Sequence, residues 1–208
     1  MNRLLLIASV SAAVCLAGCH KTGDNAGKDL ENPGQSAPVN TVQDMAAGPV
    51  GLGSAATVGA NTTDGFVTGA ATGDMYEIES SKIALQRSKS AEVKKLAQML
   101  IDHHTAMTAD LKAALAANNI AVVPPTTLDE RRKGMLDNLR AAGDADFDLA
   151  YLHQQLAAHL EALTLHKGYS GMGDNAALKA VAAKAVPRVE QHLAEIRKVG
   201  GAKLDAAT

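Results

Sequence analysis

Four titratable side chains interrupt helical apolar stripes where hydrophobic residues are expected: Glu77, His104, His159 and His192. Glu77 lies seven residues from both Ala70 and Ala84, and His104 falls between Leu100 and Met107. His159 stands between Leu156 and Leu163, and His192 between Val189 and Ile196. An ionisable group inside a core is costly unless it is paired, hydrogen-bonded or bound to a metal. Three imidazoles with one carboxylate are a donor set for a single divalent transition-metal ion, with Zn, Fe, Cu and Ni all suited to it. The same residues can instead form a Glu–His hydrogen-bonded network that only fixes how the helices meet. Both readings stay open on the spacing alone.

The stripes that carry these residues predict helices. The first runs from about Asp64 to Ser88, with Thr63 as its cap and Phe66, Ala70, Gly73, Glu77, Ser81 and Ala84 on one face. Ser90 caps the second, whose inner face is Val93, Leu96, Leu100, His104, Met107, Leu111 and Ala114. It fades at Asn118-Asn119, and Pro124-Pro125 excludes helix beyond. Thr127-Leu128-Asp129-Glu130 reads as a capping box opening a short helix to about Ala141. The third long helix carries Leu149, Leu152, Leu156, His159, Leu163 and His166 and is expected to stop at Lys167-Gly168. The fourth carries Leu178, Ala182, Ala185, Val189, His192, Ile196 and Val199, with a kink expected at Pro187.

Four amphipathic helices with short links within each pair predict an all-α four-helix bundle over residues 63–200, with the short extra helix in the connection between the pairs. Level along the bundle then matters. Glu77 and His104 differ by about 4.5 Å measured from the turn at Lys89, at 1.5 Å per residue. His159 and His192 differ by about 7 Å measured from the Gly-rich loop, which makes His153 the substitute ligand on that helix. His103 is expected to face away from the stripe, His166 to lie near a helix end, and His20 to lie outside the bundle.

Composition narrows the function classes. Aromatic residues make up 2 % of the chain, with no Trp, so neither β-structure nor a stacking surface for nucleic-acid bases is expected. The formal charge of −2 leaves no basic field to attract nucleic acid. There is no Gly-rich phosphate loop, nucleophile elbow or Cys–His pairing, so the reading leans away from an enzyme. Met1-Asn2-Arg3, the apolar run Leu4 to Leu16 and Ala17-Gly18-Cys19 form a signal peptide over residues 1–18. Leu16-Ala17-Gly18-Cys19 looks like a lipobox, which makes Cys19 the lipidated first residue of the mature chain and leaves no other thiol. His20, in place of Asp, favours the outer membrane with the domain facing the periplasm. Residues 19–62 are rich in Gly, Ala, Asn, Ser, Thr and Pro and are expected to be a flexible lipid-anchored tether; residues 201–208 are expected to be a disordered tail.

Several stretches together resemble the domain-of-unknown-function 4142 family: Glu77-Ile78-Glu79 with Ala84-Leu85, Val93 to His104, Phe147-Asp148 with Tyr151, Gln155 and His159, and Pro187 to His192-Leu193. The resemblance covers about Thr62 to Val199. It implies an exported bacterial protein, often a lipoprotein, with a ferritin-like bundle and no settled activity. Ferritin-like di-iron enzymes carry Glu-x-x-His on two helices. Here the residues three before His104, His159 and His192 are Ile101, Leu156 and Val189, so a carboxylate-bridged iron pair is not expected. The expected function is therefore an exported lipoprotein binding one metal ion or small ligand. The alternative is a structural or interaction lipoprotein of the cell envelope whose buried polar residues only fix the bundle.

Overall fold

The Thr62 side chain accepts from the Gly65 N–H and starts a helix that runs unbroken to Arg87. This helix is one of seven in a computed structural model that describes residues 37–59 and 61–205. In chain order they are α1 (Ala37–Ser54), α2 (Thr63–Arg87), α3 (Ala91–Ala117), α4 (Glu130–Ala141), α5 (Phe147–Met172), α6 (Ala176–Gly200) and α7 (Ala202–Asp205). A π-helical turn, Ala55–Gly59, follows α1. No strand occurs among the described residues. No helix among them is long and apolar enough to cross a membrane. Residues 1–36, including Cys19 and His20, lie outside the described residues, as do residues 206–208; the rest of the expected disordered tail is ordered instead, because Leu204 on α7 is buried against the core that holds Ile196 and Tyr151.

Local chemistry sets the helix ends. Ser90 accepts from the Val93 N–H and starts α3, as expected. Asn119, at φ 51°, closes α3, with the Ile120 N–H bonded to the Leu115 carbonyl at 3.0 Å and the Asn119 N–H to Ala116 at 3.3 Å. That pair of bonds satisfies carbonyls the helix leaves open, and Ile120 packs on the same cluster as Leu115. The short helix is capped by Asp129 rather than Thr127, its carboxylate accepting from the Arg132 N–H. α5 passes the expected stop at Lys167-Gly168 and ends at Met172. Tertiary contacts hold that last turn: Tyr169 is buried, stacks on Phe66 at 4.1 Å, and its hydroxyl meets Thr63 and Asp174.

α2 packs on α3 and α5 on α6, and the two hairpins join along α2–α5 and α3–α6. This is the expected bundle, with α4 in the connection between the hairpins. One end of the core is Phe66, Leu111, Leu115, Leu165, Tyr169 and Leu178. The other is Ala84, Leu96, Leu100, Phe147, Tyr151 and Ile196. Each such buried side chain contributes about 1.5–3 kcal/mol of transfer free energy. Between the two apolar ends lies the polar layer.

The segment expected as tether differs. From Ala37 on it is helical and lies against α4 and α5. Ala47 and Ala55 are buried, and Asp44 accepts from the side chains of Asn138 (2.9 Å) and Gln154 (2.6 Å). Gly51 makes the approach possible, because a Cβ there would stand 1.9 Å from Glu161 Oε2. Small residues and hydrogen bonds dock this helix, and neither leaves an apolar period in the sequence.

Candidate functional site

α2, α3, α5 and α6 each bring polar side chains to one level of the bundle. Asp74 lies 13 residues before the last residue of α2, and His104 lies 13 after the first of α3. The two face each other across the hairpin, and Asp74 Oδ1 accepts from His104 Nδ1–H at 2.8 Å. Asp74 Oδ2 accepts from Thr108 Oγ1 at 2.9 Å. On the second hairpin, His159 is 13 residues before Met172 and His192 is 16 after Ala176, so the true helix ends reduce their offset to about 4.5 Å. The histidines meet, with His159 Nε2 3.2 Å from His192 Nδ1 and 3.4 Å from His104 Nε2.

Hydrogen bonding assigns the ring protons. The Gln155 backbone carbonyl can only accept, so His159 Nδ1 carries a proton and donates it at 2.8 Å. His104 Nδ1 likewise donates to the Asp74 carboxylate. In the neutral rings both Nε2 atoms therefore hold lone pairs, and they point at each other. His192 Nε2 meets His103 Nδ1 at 2.8 Å; when it donates there, its own Nδ1 presents a third lone pair. All three rings are buried, and their ligand atoms lie within 4.8 Å of one another. Two nitrogens bound to one tetrahedral Zn²⁺ at about 2.0–2.1 Å stand about 3.3 Å apart, and the two short separations match that edge. The Asp74 and Gln155 bonds are the outer partners that orient metal-bound imidazoles.

Burial controls the charge states. It holds His159 down to about 3, aided by His104. It drives His192 further below its ordinary value, with the other histidines and Arg188 adding to the effect. Both rings are neutral near pH 7, the form that binds metal. Glu77 is 2 % exposed, and neither carboxyl oxygen has a hydrogen-bond partner. Burial, then the neighbouring Asp74 charge, pushes its pKa well above the usual carboxylate range, against the weaker pull of Gln155 and Arg132.

Of the residues singled out from the sequence, the structure brings His104, His159 and His192 to one point. Glu77 is in the same layer but stands behind His159, with Oε1 3.6 Å from Nδ1, so it does not share that point. Asp74 holds the carboxylate position beside His104. It too fits the 3–4 spacing, four after Ala70 and three before Glu77, where Gly73 was read instead. His153, the expected substitute, is half-buried and takes no part in the cluster. His103 does not face away: it is half-buried and stacked on His192, ring centroids 5.1 Å apart. His166 is 4 % exposed and well inside α5, because the helix continues to Met172. Tyr151 donates to or accepts from Ser81 (2.9 Å), and Gln155 donates to Ser80 (2.9 Å), bracing the layer on its α2 side.

Fold and site together define an all-helical bundle with a buried three-histidine cluster at its middle. The chain belongs to the family described as Domain of unknown function (DUF4142), which matches residues 50–199. The match begins inside α1, so part of the expected tether lies within the family's domain. No curated protein and no solved structure matches the chain.

Proposed function

We propose that this is an exported, lipid-anchored envelope protein whose ferritin-like bundle holds one divalent transition-metal ion at His104 Nε2, His159 Nε2 and His192 Nδ1. One observation carries the reading. Two buried Nε2 atoms face each other at 3.4 Å while both Nδ1–H groups are engaged elsewhere. Two nitrogens so placed repel unless a proton or a metal ion lies between them, and the histidine donor set with its Asp74 and Gln155 outer partners suits the metal ion. Charge supports a cation. Asp74 and Glu77 form no ion pair with Lys or Arg among the described residues, and a cation beside them offsets the Asp74 charge and opposes the burial that raises the Glu77 pKa. Imidazole donors suit Zn, Fe, Cu and Ni.

A second reading has its own observation. With its proton on Nδ1, His192 donates to His159 Nε2 at 3.2 Å and accepts from His103 at Nε2. The cluster is then a structural network, and the protein an interaction lipoprotein. Thermal melts separate the two. Metal binding raises the melting temperature in Zn²⁺ or Ni²⁺ over that in chelator, because the unfolded chain lacks the site. His104→Ala abolishes the difference. Equal melting temperatures in every metal and in chelator favour the network.

The envelope location rests on Leu16-Ala17-Gly18-Cys19. Cys19→Ser is expected to move the protein from the membrane fraction to the soluble one without loss of helical circular dichroism. Retention of the variant in the membrane fraction counts against the lipid anchor.

A further inference from the structure

Outside the three-histidine point, one buried imidazole has no use in the fold. His166 is 4 % exposed, and its Nδ1 has no hydrogen-bond partner. It touches the ring edge of Phe66 at a centroid distance of 5.5 Å, which needs no imidazole. An unsatisfied buried polar atom is costly and calls for an explanation. Burial holds His166 down to about 4, so the ring is neutral and one nitrogen keeps a free lone pair.

His166 lies in the wall between two small cavities. The outer one, about 20 Å³, reaches the surface between α3 and α6, where Asp110 and Lys184 form an exposed bridge of 2.8 Å. The inner one, about 30 Å³, reaches His104 and Glu77. Each has room for one water-sized body. Asp74, Met107 and His166 line both, so a carboxylate, a thioether and an imidazole stand where the two adjoin. All three side chains are buried, and Met107 is three residues beyond His104 on α3. Arg188 and Lys184 also line the outer cavity, and Arg132 the inner one, so the hard and soft donors Asp74, Met107 and His166 are what the passage offers a cation that has shed water.

We propose that the metal ion enters between α3 and α6 and binds transiently at His166, with Met107 and Asp74 beside it, before reaching the three-histidine point. This rests on the metal-binding reading above. His166 is an outer binding site, and the Asp110–Lys184 bridge is its mouth. Lys184 places a positive charge in front of an arriving cation; without it, the free Asp110 carboxylate attracts one.

Uptake of Co²⁺ by the full-length, chelator-treated protein, followed by its visible absorption in a stopped-flow instrument, tests the path. His166→Leu is expected to slow uptake, and also release to excess chelator, by about tenfold, with Kd changed less than about twofold. Lys184→Ala is expected to speed uptake by a few-fold at unchanged Kd. Wild-type rates in His166→Leu overturn the proposal, as does a loss of affinity like that of His159→Ala, which would place His166 in the final ligand set. If His166→Leu does not fold, the surface variant decides: faster uptake supports the path and unchanged uptake overturns it. A wild-type protein that takes up no Co²⁺ overturns the metal reading itself, an outcome distinct from uptake at rates the variants do not alter.

Discussion

Two residues apart on α5, His159 and Glu161 point to different faces of the helix and belong to two buried polar clusters with opposite bookkeeping. Glu161 accepts from Arg131 through both oxygens, at 2.9 and 2.8 Å, and from Arg132, which also pairs with Asp129. Two cations meet two anions, and this clamp is complete as it stands. It fastens α4 to α5 and, through the Ala47 carbonyl, to α1. The layer around His159 holds two carboxylates that form no ion pair with Lys or Arg among the described residues, and both Glu77 oxygens are unsatisfied there. Buried polar groups are normally satisfied, so the Glu161 cluster, finished by its own side chains, is architecture, and the unfinished one around His159 is where the proposed ion would bind.

The sharpest way to break that contrast is to cut the clamp. Glu161→Ala leaves the half-buried Arg131 without its carboxylate and Arg132 with Asp129 alone, and is expected to cost about 3 kcal/mol in urea unfolding. The loss should be the same in Zn²⁺ and in chelator; a loss that metal repairs would merge the two clusters.

Acid comes next. His159 and His166 are depressed by burial to about 3 and about 4, and His192 is lowered too. The unfolded chain takes up protons below about pH 6.5 while the folded one resists them, so stability is lost as pH falls from there towards the folded values. Each such histidine costs about 1.4 kcal/mol per pH unit in that window, or about 2 kcal/mol at pH 5. Urea midpoints of the chelated protein between pH 7.5 and 5 measure this. A flat profile would contradict a buried, neutral layer.

Glu77→Gln acts in the other direction. The raised pKa means that stability is fully present below the unfolded value and is lost as pH rises through the folded one. An isosteric neutral amide removes that loss, so the chelated variant should gain about 1–2 kcal/mol at pH 7.5. In Zn²⁺ the gain should shrink, because the ion offsets the native carboxylate. Destabilisation in chelator would show that Glu77 has a partner in the empty layer. The smallest effect belongs to His153→Ala, expected to change stability by less than about 0.5 kcal/mol and metal affinity not at all. A measurable loss of affinity would return His153 to the ligand set.

Much of this was legible in the chain. Apolar residues at 3–4 spacing mark all four bundle helices, and three of their polar interruptions meet in space. Where the reading failed, the cause is tertiary. α5 runs on because Tyr169 is held by Phe66, Thr63 and Asp174, and the helix ends this sets reduce the offset of His159 and His192 to about 4.5 Å. Asp74 and Gly73 satisfy the same spacing, and only the position of Asp74 opposite His104 selects it. His103 sits at the edge of its stripe, and the packing of α3 on α6 turns it towards His192. α1 docks through alanines, glycines and hydrogen bonds to Asn138, Gln154 and Arg131, partners about 80 to 110 residues away that no local pattern announces.

The most direct measurement of the central claim is a Zn²⁺ titration by calorimetry of protein made without an affinity tag and stripped with chelator. One ion per chain is expected in the wild type and in His153→Ala, with tight binding lost in each of His104→Ala, His159→Ala and His192→Ala. Binding that survives all three substitutions, or no binding by a folded wild type, would contradict it.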